Sequence, residues 1–569
     1  MEERRLIIVM LLVLILTFFF MTLSPTKPRQ PQKPVPKKPP QAKKTQPSPP
    51  KPLPVPQKQG KGPASGHLKN RTLHLVWTRN IGGISSLKLI EKKDERFVYP
   101  SPKTKKEPLS LVHPLKNLSP LTLLNPQNLV FSSAPSPNKV VFTSQNANIT
   151  IRKTLRLKKD PLSKYDVLFK LEIENRSDKP QKVGDLVLVA AAGVGRETQR
   201  RGFEGAVVGR KVEGGCELEN ISVESLDEKK PKEVKGPFCY FGLANKYFAF
   251  VLIPESENMP VKLVRVRRLR KEEKPKDFDA KEVLDAVVEV VLGCGELAPK
   301  SRVEFEFTVY AGPRAEEALA VHKAVGLDKL VSYGFFGFLS RIFLAILGAI
   351  YWLLPNWGVA IIVLTFIVRG ALHPVSRKQQ VALIRYQHKL RQIQPELDKI
   401  RKKFHKDRRK MNEEVMKLFR KHKVPMVPAG GCLLMLLQIP VFIGLYQALN
   451  RSILLRQTSF LWIPDLAQPD RLFKLPFTIP LLGTDFFNLL PILTLVVMIL
   501  QSKLQQSRLA TAQQGQGFTY LMYAFLTFVL YNLPSGLILY FFASTAVGLV
   551  EGWLVRRYIE RAHPELVKS

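Results

Sequence analysis

The segment Leu353–Pro374, LLPNWGVAIIVLTFIVRGALHP, is apolar enough to enter a bilayer and carries one charge in its interior. Between Trp357 and Leu372 that charge is Arg369. An arginine at such depth costs roughly 2.5–3.5 kcal/mol on insertion scales, and it usually faces a bundle interior or a wet cavity. At about 1.5 Å per residue from Asn356, Arg369 lies roughly 20 Å along a hydrocarbon core of about 30 Å, in one half of the membrane. A long side chain can also snorkel to the interface. The segment alone supports both readings, so the rest of the chain has to decide.

The chain has 569 residues and a formal net charge of +40, from 87 Lys and Arg against 47 Asp and Glu. The basic residues are spread through a tether, a soluble domain and the loops between apolar runs. That distribution fits the positive-inside rule and contact with anionic lipid or ribosomal RNA; no DNA-reading motif is present. After Arg4 and Arg5, Leu6–Leu23 is apolar and no small-residue cleavage site follows, which predicts an uncleaved anchor over 1–24. Residues 25–65 are Pro, Lys and Gln with little to bury, a solvated tether. From 66 to 325 short alternating strands such as Val167–Ile173 and Val303–Val309 alternate with turn clusters, as in a β-sandwich. No HExxH, GxSxG or P-loop occurs there, so no enzymatic centre and no cofactor or metal site is expected. The cysteines Cys216, Cys239, Cys294 and Cys432 fit no zinc spacing, and pairing of Cys216 with Cys239 and free thiols both stay open.

Residues 330–354 read as an interfacial amphipathic helix, and Asn356 opens a five-span core over 355–560, with further apolar runs at 429–449, 486–500, 518–531 and 537–555. Within that core, 375–423 is strongly basic. Leu390, Ile393, Leu397, Ile400 and Phe404 repeat at 3-4-3-4 spacing, and Met411, Val415 and Leu418 continue the pattern after a turn near Lys406–Asp407. This predicts a helical hairpin with an apolar seam. The fold class expected is therefore a multi-pass α-helical membrane protein with six spans, a large exported β-sandwich domain and a cytoplasmic hairpin. Both termini, including the tail 561–569, would lie in the cytoplasm.

Polar residues in these runs recur on single faces: Gly358, Ile362, Thr365 and Arg369; Tyr520, Tyr523, Thr527 and Tyr531; Tyr540, Ser544, Gly548 and Glu551. Gln438, Thr494 and Gln501 add to them. One such stripe is helix–helix glue. Several stripes, together with an arginine that has no acidic partner at equal depth, point to a wet, positively charged concavity.

The motifs NWGVAIIVLTFIVRGALHP (356–374), VPAGGCLLMLLQIPVFIGLYQAL (427–449), LRQTSFLWIPDL (455–466) and LPSGLILYFF (533–542) resemble, in order and spacing, the YidC membrane protein insertases. The anchor and exported domain are similar to the Gram-negative form with a large periplasmic domain. The resemblance implies a bacterial inner-membrane insertase and chaperone, not an enzyme, acting on nascent membrane proteins alone or beside the Sec translocon. Ribosome, signal-recognition components and anionic lipids are further partners it implies. It also implies a hydrophilic groove containing Arg369, with Thr365 as substrate contact and Tyr540–Phe541 as the aromatic pair; the second of that pair is often tyrosine in the family. Gln438, Tyr523, Thr527 and Ser544 complete the expected groove. The loop Pro425–Cys432 departs from the family's usual N-P-x-G-G-C. The rivals are a secondary transporter using an intramembrane arginine site, for which no inverted repeat or coupling carboxylate is evident, and a β-domain receptor on a passive bundle.

Overall fold

The computed structural model describes residues 61–562, apart from 94–95, 100, 102–106, 113–117, 125–128, 194–204, 228–229, 274–285, 406, 423, 425–428, 481 and 506–512. The expected anchor, nearly all of the tether, and the tail from residue 563 lie outside the described residues. The chain divides into two compact units, Met1–Leu330 and Val331–Ser569.

The first unit is built from strands whose inward residues are apolar. In Asp166–Asn175, Val167, Phe169, Leu171 and Ile173 are buried while Lys170, Glu172 and Glu174 are partly exposed, the period-2 alternation of a half-buried strand. A nine-stranded sheet runs in the order Gly215–Ser222, Gly205–Val212, Phe238–Ala244, Phe248–Pro254, Arg302–Pro313, Asp166–Asn175, Ile149–Leu157, Lys139–Gln145, Ser132–Ser136. Its fourth strand, Phe248–Pro254, is buried on both sides from Phe248 to Ile253. The reason is a second sheet, of Gln181–Ala192, Ala286–Leu297, Val261–Arg268 and Lys232–Lys235, which packs over that region. Two packed antiparallel sheets make the sandwich the alternation predicts. A smaller sheet of Ser65–Lys69, Leu73–Thr78, Gly83–Leu89 and Leu109–Val112 precedes them. Cys216 and Cys239 are joined in a disulfide, and Cys294 is buried and free.

One strand of the large sheet carries an intruder. Lys153 occupies an inward position between Ile151 and Leu155 and is fully buried. Its Nζ donates to the carbonyls of Gly82 (3.0 Å), Leu121 (2.9 Å) and Ile81 (3.4 Å), and lies 4.9 Å from the centre of the Phe131 ring. Gly82 and Leu121 both sit at positive φ, so the two turns aim their carbonyls at one point. The lysine thereby ties the small sheet to the large one.

The second unit is helical: α1 (Gly337–Leu353), α2 (Trp357–Lys403), α3 (Arg408–Lys421), α4 (Ala429–Arg451), α5 (Leu489–Gln505), α6 (Gln513–Leu530) and α7 (Ser535–Ala562). Asn356 caps α2, its side chain accepting from the amides of Gly358 and Val359. The basic region expected to start at Val375 is not a separate helix. α2 continues through Pro374 and Pro395 for 47 residues. Proline removes one backbone bond and crowds the carbonyl four residues earlier; for Pro374 that residue is Gly370, which has no side chain of its own to add to the crowding. The apolar seam forms in part: Ile393, Leu397, Leu418 and Val424 are buried with Tyr386, Leu390, Ile400 and Phe419 packed around them, whereas Phe404, Met411 and Val415 do not belong to the cluster. Asp407 caps α3 at the turn.

Among the described residues two helices are long and apolar enough to cross a membrane, α2 and α7; α1, α5 and α6 are shorter apolar helices. α1 buries Ser340, Phe343, Leu347 and Ile350, yet leaves Phe338, Ile342 and Trp352 exposed, so its outer face is apolar instead of polar. Ser340 donates to the carbonyl of Gly444 on α4 at 2.8 Å. A two-stranded hairpin, Phe473–Ile479 with Thr484–Phe487, was not expected, although Gly483 at positive φ turns it and its residues alternate.

Candidate functional site

α2 and α7 cross where both carry small or polar residues. Ser544 and Gly548 of α7 are one turn apart and face Arg369. The Arg369 Nε donates to Ser544 Oγ at 2.7 Å. A Cβ built on Gly548 would stand 3.7 Å from both terminal nitrogens, and 3.1 Å from Gln501 Nε2 of α5. The guanidinium thus rests over Gly548 with both terminal nitrogens at the same distance, and the tight neighbour of that glycine is Gln501. Arginine has five N–H donors. The Ser544 bond is its only hydrogen bond, and it has no ion pair, among the described residues. The side chain is half-buried.

The next rung between the same helices is a different pair: His373 Nδ1 lies 2.8 Å from Glu551 Oε1, with Glu551 buried. The acid on the Ser544 stripe is therefore engaged by a histidine and not by the arginine. At the start of α2, a Cβ on Gly358 would meet the Phe460 ring at 2.1 Å, so the 455–466 loop seats directly on the helix start.

The expected site residues divide. Arg369 and Ser544 are joined directly. Gln438 of α4 donates to the Tyr540 hydroxyl at 3.3 Å, and Tyr540 lies one turn before Ser544 on α7. Phe541 is half-buried and packs edge-to-face on Phe442, 6.2 Å between centres. Thr365 is fully buried and gives its hydroxyl proton to the Ile361 carbonyl, so it presents no donor to the space beside Arg369. Tyr523 and Thr527 lie on α6, which packs against α5. Thr527 donates to the Tyr523 carbonyl, and no hydrogen bond joins either to Arg369 among the described residues. His373 was missed as a site residue, and Gln501, noted among the polar residues of the spans, was not placed in the groove; the spacing 369 to 373, one helical turn, is the signal that marks the first. No group of residues able to hold a metal ion occurs among the described residues.

The family model described as 60Kd inner membrane protein matches residues 349–562, and that of the YidC periplasmic domain matches residues 117–346. The membrane protein insertase YidC of Vibrio cholerae is 36% identical over 266 residues, 47% of this chain and 45% of the relative. That of Syntrophobacter fumaroxidans is 34% identical over 345 residues, 60% of this chain and 57% of the relative. The chain spans about half the length of the curated relatives it matches. A solved structure, of an active YidC insertase with its first transmembrane domain resolved, has 19% identity and a TM-score of 0.34 over 87% of this chain and 93% of that one. Adjoining matches run in turn through the β-rich and helical parts, and over both the chain is similar to the YidC family of inner-membrane proteins.

Proposed function

We propose that this chain is a membrane protein insertase and chaperone, making and breaking no covalent bond. In this reading it crosses the inner membrane six times with both termini in the cytoplasm, the β-sandwich in the periplasm and the hairpin of α2 and α3 in the cytoplasm. The observation that carries the mechanism is Arg369, a half-buried cation in the apolar first part of α2, with one hydroxyl partner among the described residues and donors to spare. Spare donors need water or an anionic ligand, since a buried polar group left unpaired costs about 1–3 kcal/mol. A wet positive groove lowers the cost of bringing a polar, acidic tail into the membrane, and the substrate's apolar segment then moves onto exposed apolar residues such as Phe366, Ile367 and Val550. The Cys216–Cys239 disulfide suits an oxidising compartment. Nascent membrane proteins are the substrates, with the Sec translocon as companion. The basic hairpin suits ribosome, signal-recognition components or anionic lipid.

Unit charges 4 Å apart gain about 1 kcal/mol in water and about 4 kcal/mol at an effective dielectric of ~20. Arg369→Ala should therefore reduce insertion of an acidic-tailed substrate by about tenfold relative to a neutral-tailed twin, in cells depleted of the native insertase. Arg369→Lys should retain most activity, because a point charge suffices. Equal loss for both tails would reject the electrostatic mechanism.

A further inference from the structure

Arg369 and His373 are successive rungs of α2, and Ser544, Gly548 and Glu551 are successive rungs of α7. Among the described residues the two helices are joined by the hydrogen-bonded pairs Arg369–Ser544 and His373–Glu551. The buried carboxylate of Glu551 thus lies one turn from Gly548, over which the guanidinium rests with N–H donors that have no partner among the described residues. Arginine and carboxylate form the strongest charge-assisted pair available to side chains, commonly bidentate. An acid on that stripe and free to swing would occupy the arginine and exclude any other anion. The contact that restrains it is His373 Nδ1.

We infer that His373 is a positioning residue: by holding Glu551 on the next rung, it keeps the Arg369 guanidinium open to acidic segments of a substrate. The pair is a specificity device, because it decides whether the groove's positive charge is spent internally or offered outward. This rests on the proposed insertase reading of Arg369, although the direct readout below does not. Neighbouring groups do not supply the same restraint. Arg377, one turn on, stacks over Tyr558, and Gln380 lies against Gly552.

The test uses the full-length protein. Peptide-resolved modification by phenylglyoxal, an arginine reagent, should fall severalfold at Arg369 in His373→Ala and return to the native rate in His373→Ala/Glu551→Gln. His373→Asn, which keeps a donor near the Nδ1 position, should react as the native protein does. Unchanged Arg369 reactivity in His373→Ala, or a fall that Glu551→Gln does not reverse, would overturn the inference. Insertion supplies the second arm. His373→Ala should lose acidic-tailed substrates severalfold while sparing neutral-tailed ones, and Glu551→Gln should restore them. If Arg369→Ala discriminates between tails but His373→Ala does not, this inference fails. If the reactivity changes appear while Arg369→Ala shows no discrimination, the insertase mechanism fails instead.

Discussion

Each unit holds a basic side chain with no carboxylate partner among the described residues, and the two are held in opposite ways. Lys153 is sealed in the β-sandwich, with three backbone carbonyls and the Phe131 ring around its ammonium. Arg369 is half-buried, held by one serine hydroxyl over a bare glycine. Every proton of the lysine ammonium has an acceptor, so the group is finished and can only hold the fold together. The arginine is unfinished. Burial of a charge therefore does not mark a working site; donors left over after the protein has used what it needs do.

The largest expected effect lies at Lys153. Lys153→Ala opens a cavity and strands three carbonyls, and it should lower the unfolding free energy of the β-sandwich by about 2–5 kcal/mol. Denaturant titration followed by fluorescence would read it, and a loss below 1 kcal/mol would remove the contrast. Next comes pH. Burial pushes the Lys153 pKa down to about 7, from the ordinary 10.5. Between those values the unfolded chain binds a proton that the folded one does not, so stability rises with pH. At up to about 1.4 kcal/mol per pH unit, the gain from pH 7 to 9 is about 2 kcal/mol. It should vanish in Lys153→Met, and a flat native profile would show that the carbonyl cage keeps the charge. The smallest effect belongs to the other cation. Arg369→Ala or Ser544→Ala gives up one hydrogen bond beside a solvated group and should shift the helical unit's stability by no more than about 1 kcal/mol. A shift as large as that at Lys153 would make Arg369 a second structural tie.

Much of this was legible in the chain. Alternation in Val167–Ile173 gave its strand, and the seam from Leu390 to Leu418 gave the hairpin core. Arg369 was conspicuous because nothing around it in sequence is charged. The stripe 540–544–548–551 placed the correct face of α7 toward it. The rest was legible only in part. Pro374 reads as a helix end, but a proline costs one bond and a long packed helix can absorb it. Thr365 has the right spacing, yet spacing does not say that its hydroxyl turns back on Ile361. Lys153 shares the inward parity of Ile151 and Leu155, a signal present in the strand. Its three acceptors, however, come from turns 32 to 72 residues away and belong to tertiary structure.

The unbroken course of α2 has a mechanical side. From Arg369 to Lys403 is a rod of roughly 50 Å at 1.5 Å per residue. The seam with α3 grips its far end through Ile393 and Leu397. A helix resists twisting, so turning the gripped end turns the arginine's bearing on Ser544 and Gly548. The softest joint between them is Pro374, five residues from Arg369, where the bond to Gly370 is missing. A load at the seam thus arrives at the arginine as rotation when that joint is stiff, and as tilt when it yields.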